Sequence, residues 1–163
     1  MNKKMIAIVI AVLALTFIVS AVHLKNQEPI ACMVIKTKDG TIPVAFEELS
    51  DCEFTGSLMN GKGEVSEHTY TGILLKDLLK QKGIAVPEMM NVCVISADHY
   101  SARFTSAEVN DDAKVYIAVA VDGAPMEGID PETKGVQVIA FGDKDSRRCV
   151  RYAAVIEIGP DAP

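Results

Sequence analysis

The sequence predicts an α+β domain with a mixed sheet and short helices, and three observations predict it. Short apolar runs at Cys32–Thr37, Val92–Ser96, Val115–Val121, Val136–Phe141 and Val155–Ile158 read as strands. A leucine-striped stretch, Thr71–Lys82, and a capping-box pattern at Thr105-Ser106-Ala107-Glu108 read as helices. The connections are too short and irregular for a doubly wound parallel sheet.

Before these elements comes Asn2-Lys3-Lys4, then an uncharged apolar run, Met5–Val22. That run falls within the roughly 17–25 residues needed to span a bilayer. It reads as a membrane anchor with Lys3 and Lys4 held inside, or as a signal peptide cleaved near Val19-Ser20-Ala21. Either way, residues 1–22 are the export segment, 23–31 the linker and 32–163 the domain, placed outside the cytoplasm and either membrane-anchored or secreted. Lys25 and Glu28 separate Cys32 from the apolar run, which argues against lipidation there.

Within the domain, Lys38-Asp39-Gly40-Thr41 is a turn, because Asp-Gly suits the positive φ angles of a tight hairpin. Thr41–Val44 is its return strand, and Phe46–Leu49 a short helical turn. Asp51–His68, rich in Gly and polar residues, reads as the longest irregular stretch. In Thr71–Lys82, Leu74, Leu75, Leu78 and Leu79 form one apolar stripe; Thr71 is placed to cap its start and Gly83 its end. Asp98-His99-Tyr100 turns the chain after Val92–Ser96, and Ala102–Phe104 leads back. Asp122-Gly123 ends Val115–Val121, and Asp143–Arg148 is a charged connection. No repeat or second-domain linker is present.

The chain is 49% hydrophobic and 23% charged, with no Trp and a formal charge of −6. Lys3 and Lys4 carry the only side-chain charges of the first 22 residues, so the domain alone is more acidic still. That excludes nucleic acid as a partner. Cys32, Cys52, Cys93 and Cys149 permit two disulfides, and their spacing selects no pairing. No C-x-x-C and no zinc spacing occurs. Cys93, in an apolar run, reads as an inert buried thiol.

Several patterns carry chemistry elsewhere and are weak here. Gly56–Gly63 resembles a phosphate-binding loop, but Gly63 stands where Ser or Thr must hold magnesium, so it reads as a surface loop. His23, His68 and His99 are scattered. Glu47-Glu48 and Asp111-Asp112 read as solvated faces. Two groups remain as candidate ligand-binding residues. Asp98, His99 and Tyr100, with Arg103, put an acid, an imidazole and a phenol on one turn, against the reading that Asp98 merely satisfies its own backbone. Arg147, Arg148 and Arg151 concentrate the positive charge, and guanidinium forks suit an anion, against the reading that they pair with Asp143, Asp145 or Glu157.

Read in order, Tyr70–Leu79 with Gly83-Ile84, Val94–Tyr100 running to Thr105–Glu108, Val119–Gly123, Val136–Phe141, Arg148–Tyr152 and Val155–Ile158 resemble the molybdopterin-binding domain of the sulfite oxidase type, in its small exported single-domain form. The resemblance covers Tyr70–Ile158, with a weaker echo in Val34–Leu49. It implies a sulfite oxidase-like fold and, in the enzymes, a cleft holding a molybdenum-bearing pterin bound through a Cys thiolate. That Cys precedes the segment matching Tyr70–Leu75, and here Ser57–Thr69 holds none. Cys52, the weak candidate, lies several residues too early, and Ser57 or Asn60 does not replace a soft thiolate. His99 stands where relatives commonly have Gly, and Cys149 where an aromatic is usual. A Lys-Lys leader also lacks the twin arginines used by folded, cofactor-loaded exports.

Two functions follow as expectations. The favoured one is a non-catalytic module that binds an extracytoplasmic ligand or protein through Asp98, His99, Tyr100, Arg103, Arg147 and Arg148, with no cofactor. The alternative is a molybdopterin-dependent oxidoreductase, or a subunit of one, with Cys52 recruited to the metal.

Overall fold

The structure, a computed structural model, describes residues 30–159. The export segment expected at residues 1–22 therefore lies outside the described residues. Chain contacts separate a first unit, Met1–Ile30, from a second, Ala31–Pro163, whose fold is the one described. Among the described residues no helix is long and apolar enough to cross a membrane.

Two five-stranded sheets build the domain. The first has the order β2 (Gly40–Ala45), β1 (Ala31–Thr37), β10 (Ala153–Gly159), β5 (Asn91–Ser96), β6 (Ser101–Thr105). Only β1 and β10 in it run parallel; its other pairs are antiparallel. The second sheet has β3 (Cys52–Met59), β4 (Val65–Leu74) and β7 (Val115–Val121), and β7 also pairs with β8 (Ala124–Pro125) and β9 (Gln137–Ala140). Helix α1 (Leu75–Gln81) follows β4, and the short α2 (Ser106–Val109) follows β6. The α+β class thus holds, with more strand and less helix than the sequence suggests.

One core joins both sheets and both helices. Ile35, Val92, Val94, Phe104 and Ile156 come from the first sheet, Ile73, Val115, Ile117 and Val138 from the second, and Leu75, Leu78 and Leu79 from α1. Cys93 is fully buried, as the apolar run implies. A second cluster covers the other face of the second sheet, where Tyr70, Ala118, Met126 and Ile139 support Phe54, Leu58, Tyr116, Phe141 and Cys149. Phe54 is the hub of its rings: it stacks on Tyr116 at 4.1 Å and on Tyr70 at 5.4 Å, with Phe141 edge-on at 6.0 Å.

Three expectations are corrected. The stretch 51–68 is not irregular. It forms β3 and the first part of β4, because Phe54, Gly56 and Leu58 alternate with outward Glu53, Thr55 and Ser57, a period of two. Thr69, Tyr70 and Thr71 opposite are good strand formers. The phosphate-loop look-alike is the end of this hairpin. Its turn is held by Asn60, whose Oδ1 accepts from Lys62 N at 2.9 Å and Glu64 N at 3.1 Å, while Gly63 takes φ +84°.

Nor does the helix begin at Thr71. Thr71–Leu74 extends β4, all four paired with β7 and Thr71 and Gly72 also with β3, and α1 starts only at Leu75. Partners on both edges outweigh a leucine stripe that fits either structure. The helix ends as expected: Gly83 takes φ +70° and Ile84 N donates to Leu79 O at 2.8 Å. The α2 capping box is also present, with Glu108 N donating to Thr105 Oγ1 and Thr105 N to Glu108 Oε2. All four cysteines are free thiols. Glu48 is no freely solvated face, since it accepts from Ala45 N and pairs with Lys82 at 2.5 Å; Asp112 likewise pairs with Lys76.

Candidate functional site

The tight turn between β5 and β6 displays Asp98, His99 and Tyr100. Asp98 Oδ1 accepts from Tyr100 N at 3.1 Å, and Asp98 N donates to Ser96 Oγ at 3.3 Å. Bonding to the Ser96 hydroxyl and then the Tyr100 N–H hold the Asp98 carboxyl below its usual range. The acid therefore closes its own turn. His99 has φ +70°, a left-handed conformation that favours glycine. Tyr100 does reach the basic segment, where its hydroxyl donates to the Arg147 carbonyl.

The two arginines of that segment are engaged by the chain's own carboxylates. Arg147 bonds Asp145 through Nε at 2.9 and 2.8 Å and through Nη2 at 2.7 Å, on the open surface. Arg148 grips Asp143 with both arms of its fork at 2.6 Å and Glu108 at 2.7 Å. It also donates to the Arg103 carbonyl at 3.2 Å and lies over the Phe104 ring at 5.1 Å. Lys114 joins from Glu108 at 3.3 Å and Asp143 at 3.5 Å. The Arg148 bond is the largest cause that brings Glu108 down to about 2, against the opposing effect of burial. Tyr100, Arg103, Arg147 and Arg148 thus meet in one cluster that ties the first sheet to the loop after β9. The Asp98 carboxylate stays with its turn.

The third arginine, Arg151, lies elsewhere. It lines a cavity of about 370 Å³ with Val121, Met126, Glu127, Val136, Gln137 and Tyr152. Local backbone fixes this wall. Val150 and Val138 exchange N–H···O bonds of 2.8 and 2.9 Å, Ala153 N donates to Val136 O at 2.8 Å, and Tyr152 between them takes φ +54°. Beside Val136, Gly135 approaches Glu127 so closely that a Cβ there would meet the Glu127 carbonyl oxygen at 2.0 Å. Sequence reasoning places Arg151 with Arg147 and Arg148 and does not separate it from them. Glu127 and Gln137 carry no motif that could have flagged them.

No cysteine lines this cavity. Cys52, at the start of β3, directs its thiol to Gly72 O at 3.5 Å; burial, then Asp51 and Asp77, push its pKa up. The other thiols are also raised, chiefly by burial, Cys32 to about 11. A thiol in such surroundings is a poor nucleophile and a poor ligand. Among the described residues no three His, Cys, Asp or Glu side chains are grouped to hold a metal ion.

A family model described as the oxidoreductase molybdopterin binding domain matches residues 43–130. Among solved structures, the sulfane dehydrogenase SoxCD from Paracoccus pantotrophus is similar, with a TM-score of 0.58 and 18% identity over 78% of this chain and 38% of that one. This is a likeness of fold, and the chain spans 38% of the length of that structure. No curated protein matches the chain.

Proposed function

Because the chain belongs to the oxidoreductase molybdopterin binding domain family, of the sulfite oxidase type, we propose that it is a non-catalytic member, a ligand-binding module that keeps the fold and does without the metal. The reading takes the domain to work outside the cytoplasm, joined to the membrane or exported by residues 1–22; the uncharged run after Lys3 and Lys4 supports that.

The donor set carries the proposal. A molybdenum pterin needs a soft thiolate for its metal and cations for its phosphate. None of the four thiols lines the cavity, and each is biased toward the protonated form. Arg147 and Arg148 are neutralised by Asp145, Asp143 and Glu108, and the one arginine on the cavity wall shares it with Glu127. These residues do not fit the group. The alternative, an oxidoreductase or a subunit of one, has one observation in its favour: Cys52 is an exposed thiol. Against it stand burial and then Asp51 and Asp77, which oppose the thiolate a metal would need.

Metal analysis of the full chain purified from its native host tests the reading. Molybdenum and tungsten are expected far below one atom per chain. Either metal at stoichiometry, lost on replacing Cys52 with Ser, would establish the oxidoreductase alternative instead.

A further inference from the structure

Arg151 and Glu127 line the same cavity, yet make no ion pair with each other or with any other described residue. Every other charge of the arginine segment is spent: Arg147 on Asp145, Arg148 on Asp143 and Glu108. Opposite charges that line one cavity without pairing are complementary to a solute carrying both signs. A guanidinium fork accepts a carboxylate, and a carboxylate accepts an ammonium. Val121, Met126 and Val136 add apolar lining, and Gln137 and Tyr152 add polar groups. At about 370 Å³ the cavity is near the small end of ligand pockets, which run from about 300 to 1,000 Å³.

We infer that this cavity binds a small zwitterion, an ω-amino acid whose carboxylate meets Arg151 and whose ammonium meets Glu127 across a short methylene stem. This rests on the non-catalytic reading and adds a ligand class to it. The backbone under both charges is fixed, since Tyr152, next to Arg151, is left-handed and Gly135 packs closely against the Glu127 carbonyl. A fixed backbone under both residues should favour one stem length over the others.

The test is a titration of the full chain, by calorimetry, with glycine, β-alanine, γ-aminobutyrate and ε-aminocaproate, each against the carboxylate of the same length. One member is expected to bind about tenfold tighter than its matching carboxylate. Arg151→Gln should abolish binding of both, and Glu127→Gln should bring the amino acid down to its carboxylate. Circular dichroism identical to wild type shows that these surface variants are folded. If no amino acid outbinds its carboxylate, or if Glu127→Gln leaves the preference intact, the inference is overturned. Metal content decides the non-catalytic reading separately. A metal-free chain that binds none of the series overturns this inference alone.

Discussion

Replacing Arg148 with alanine is expected to lower the unfolding free energy by about 2 kcal/mol at neutral pH, between the values for an exposed and a buried pair because the Arg148 side chain is 32% exposed. The reason is what remains behind. Asp143, whose side chain is 12% exposed, and Glu108, 22% exposed, would face each other with only Lys114 between them. The Phe104 ring would also lose its cationic cover. The pH dependence has a definite sign. Glu108 titrates at about 2 in the fold against an ordinary 4.5, so its contribution is fully present above 4.5 and is lost as pH falls toward 2. The Arg148 bond is the main source of that depression. The gap between wild type and Arg148→Ala should therefore narrow over that window. Urea unfolding followed by circular dichroism at several pH values measures it. A gap that stays constant down to pH 2 would show that Glu108 gains nothing from Arg148.

Gly72→Ala is expected to cost at least about 3 kcal/mol, at or beyond the upper end for overpacking, because nothing near it can yield. An added Cβ would meet the Ile117 carbonyl oxygen at 2.0 Å and the Ala118 Cα at 2.9 Å, both backbone atoms of β7. Gly72 lies where the β4–β7 register shifts, between Thr71 and Gly72, and the β7 backbone comes close to it there. Relief requires prying β4 from β7, which separates the two halves of the second sheet. Gly61→Ala is the control, since its Cβ meets nothing within 4 Å. Comparing the urea midpoints of the two variants checks the idea, and equal midpoints would refute it.

Much of the fold is legible in the residues because its signals are local. The Asp39-Gly40 and Asp98–Tyr100 turns, the Thr105 capping box and the Gly83 helix end each depend on a few neighbouring side chains. The β3–β4 hairpin is not, because its polar outward face hides a period of two. The start of α1 is not, because Leu74 and Leu75 suit strand and helix alike, and only the pairing of Leu74 with Tyr116 of β7 decides between them.

The candidate site divides along the same line. That Arg147 and Arg148 sit near Asp143 and Asp145 can be read from the chain. That Glu108, far off in sequence, completes the grip on Arg148 cannot. The separation of Arg151 from its neighbours depends on the bonds between Val138 and Val150 and on the left-handed Tyr152, both products of the assembled sheet.

The four unbridged thiols have a further use. They are graded by depth: Cys52 lies exposed on an edge strand, Cys32 and Cys149 are half-covered, and Cys93 has no exposed surface in the middle of the first sheet. A small alkylating reagent added to the native protein would meet them in order of the openings each requires, from surface fraying at Cys52 to rupture of the whole domain at Cys93. The chain thus carries its own depth gauge for partial unfolding, with no label to be engineered.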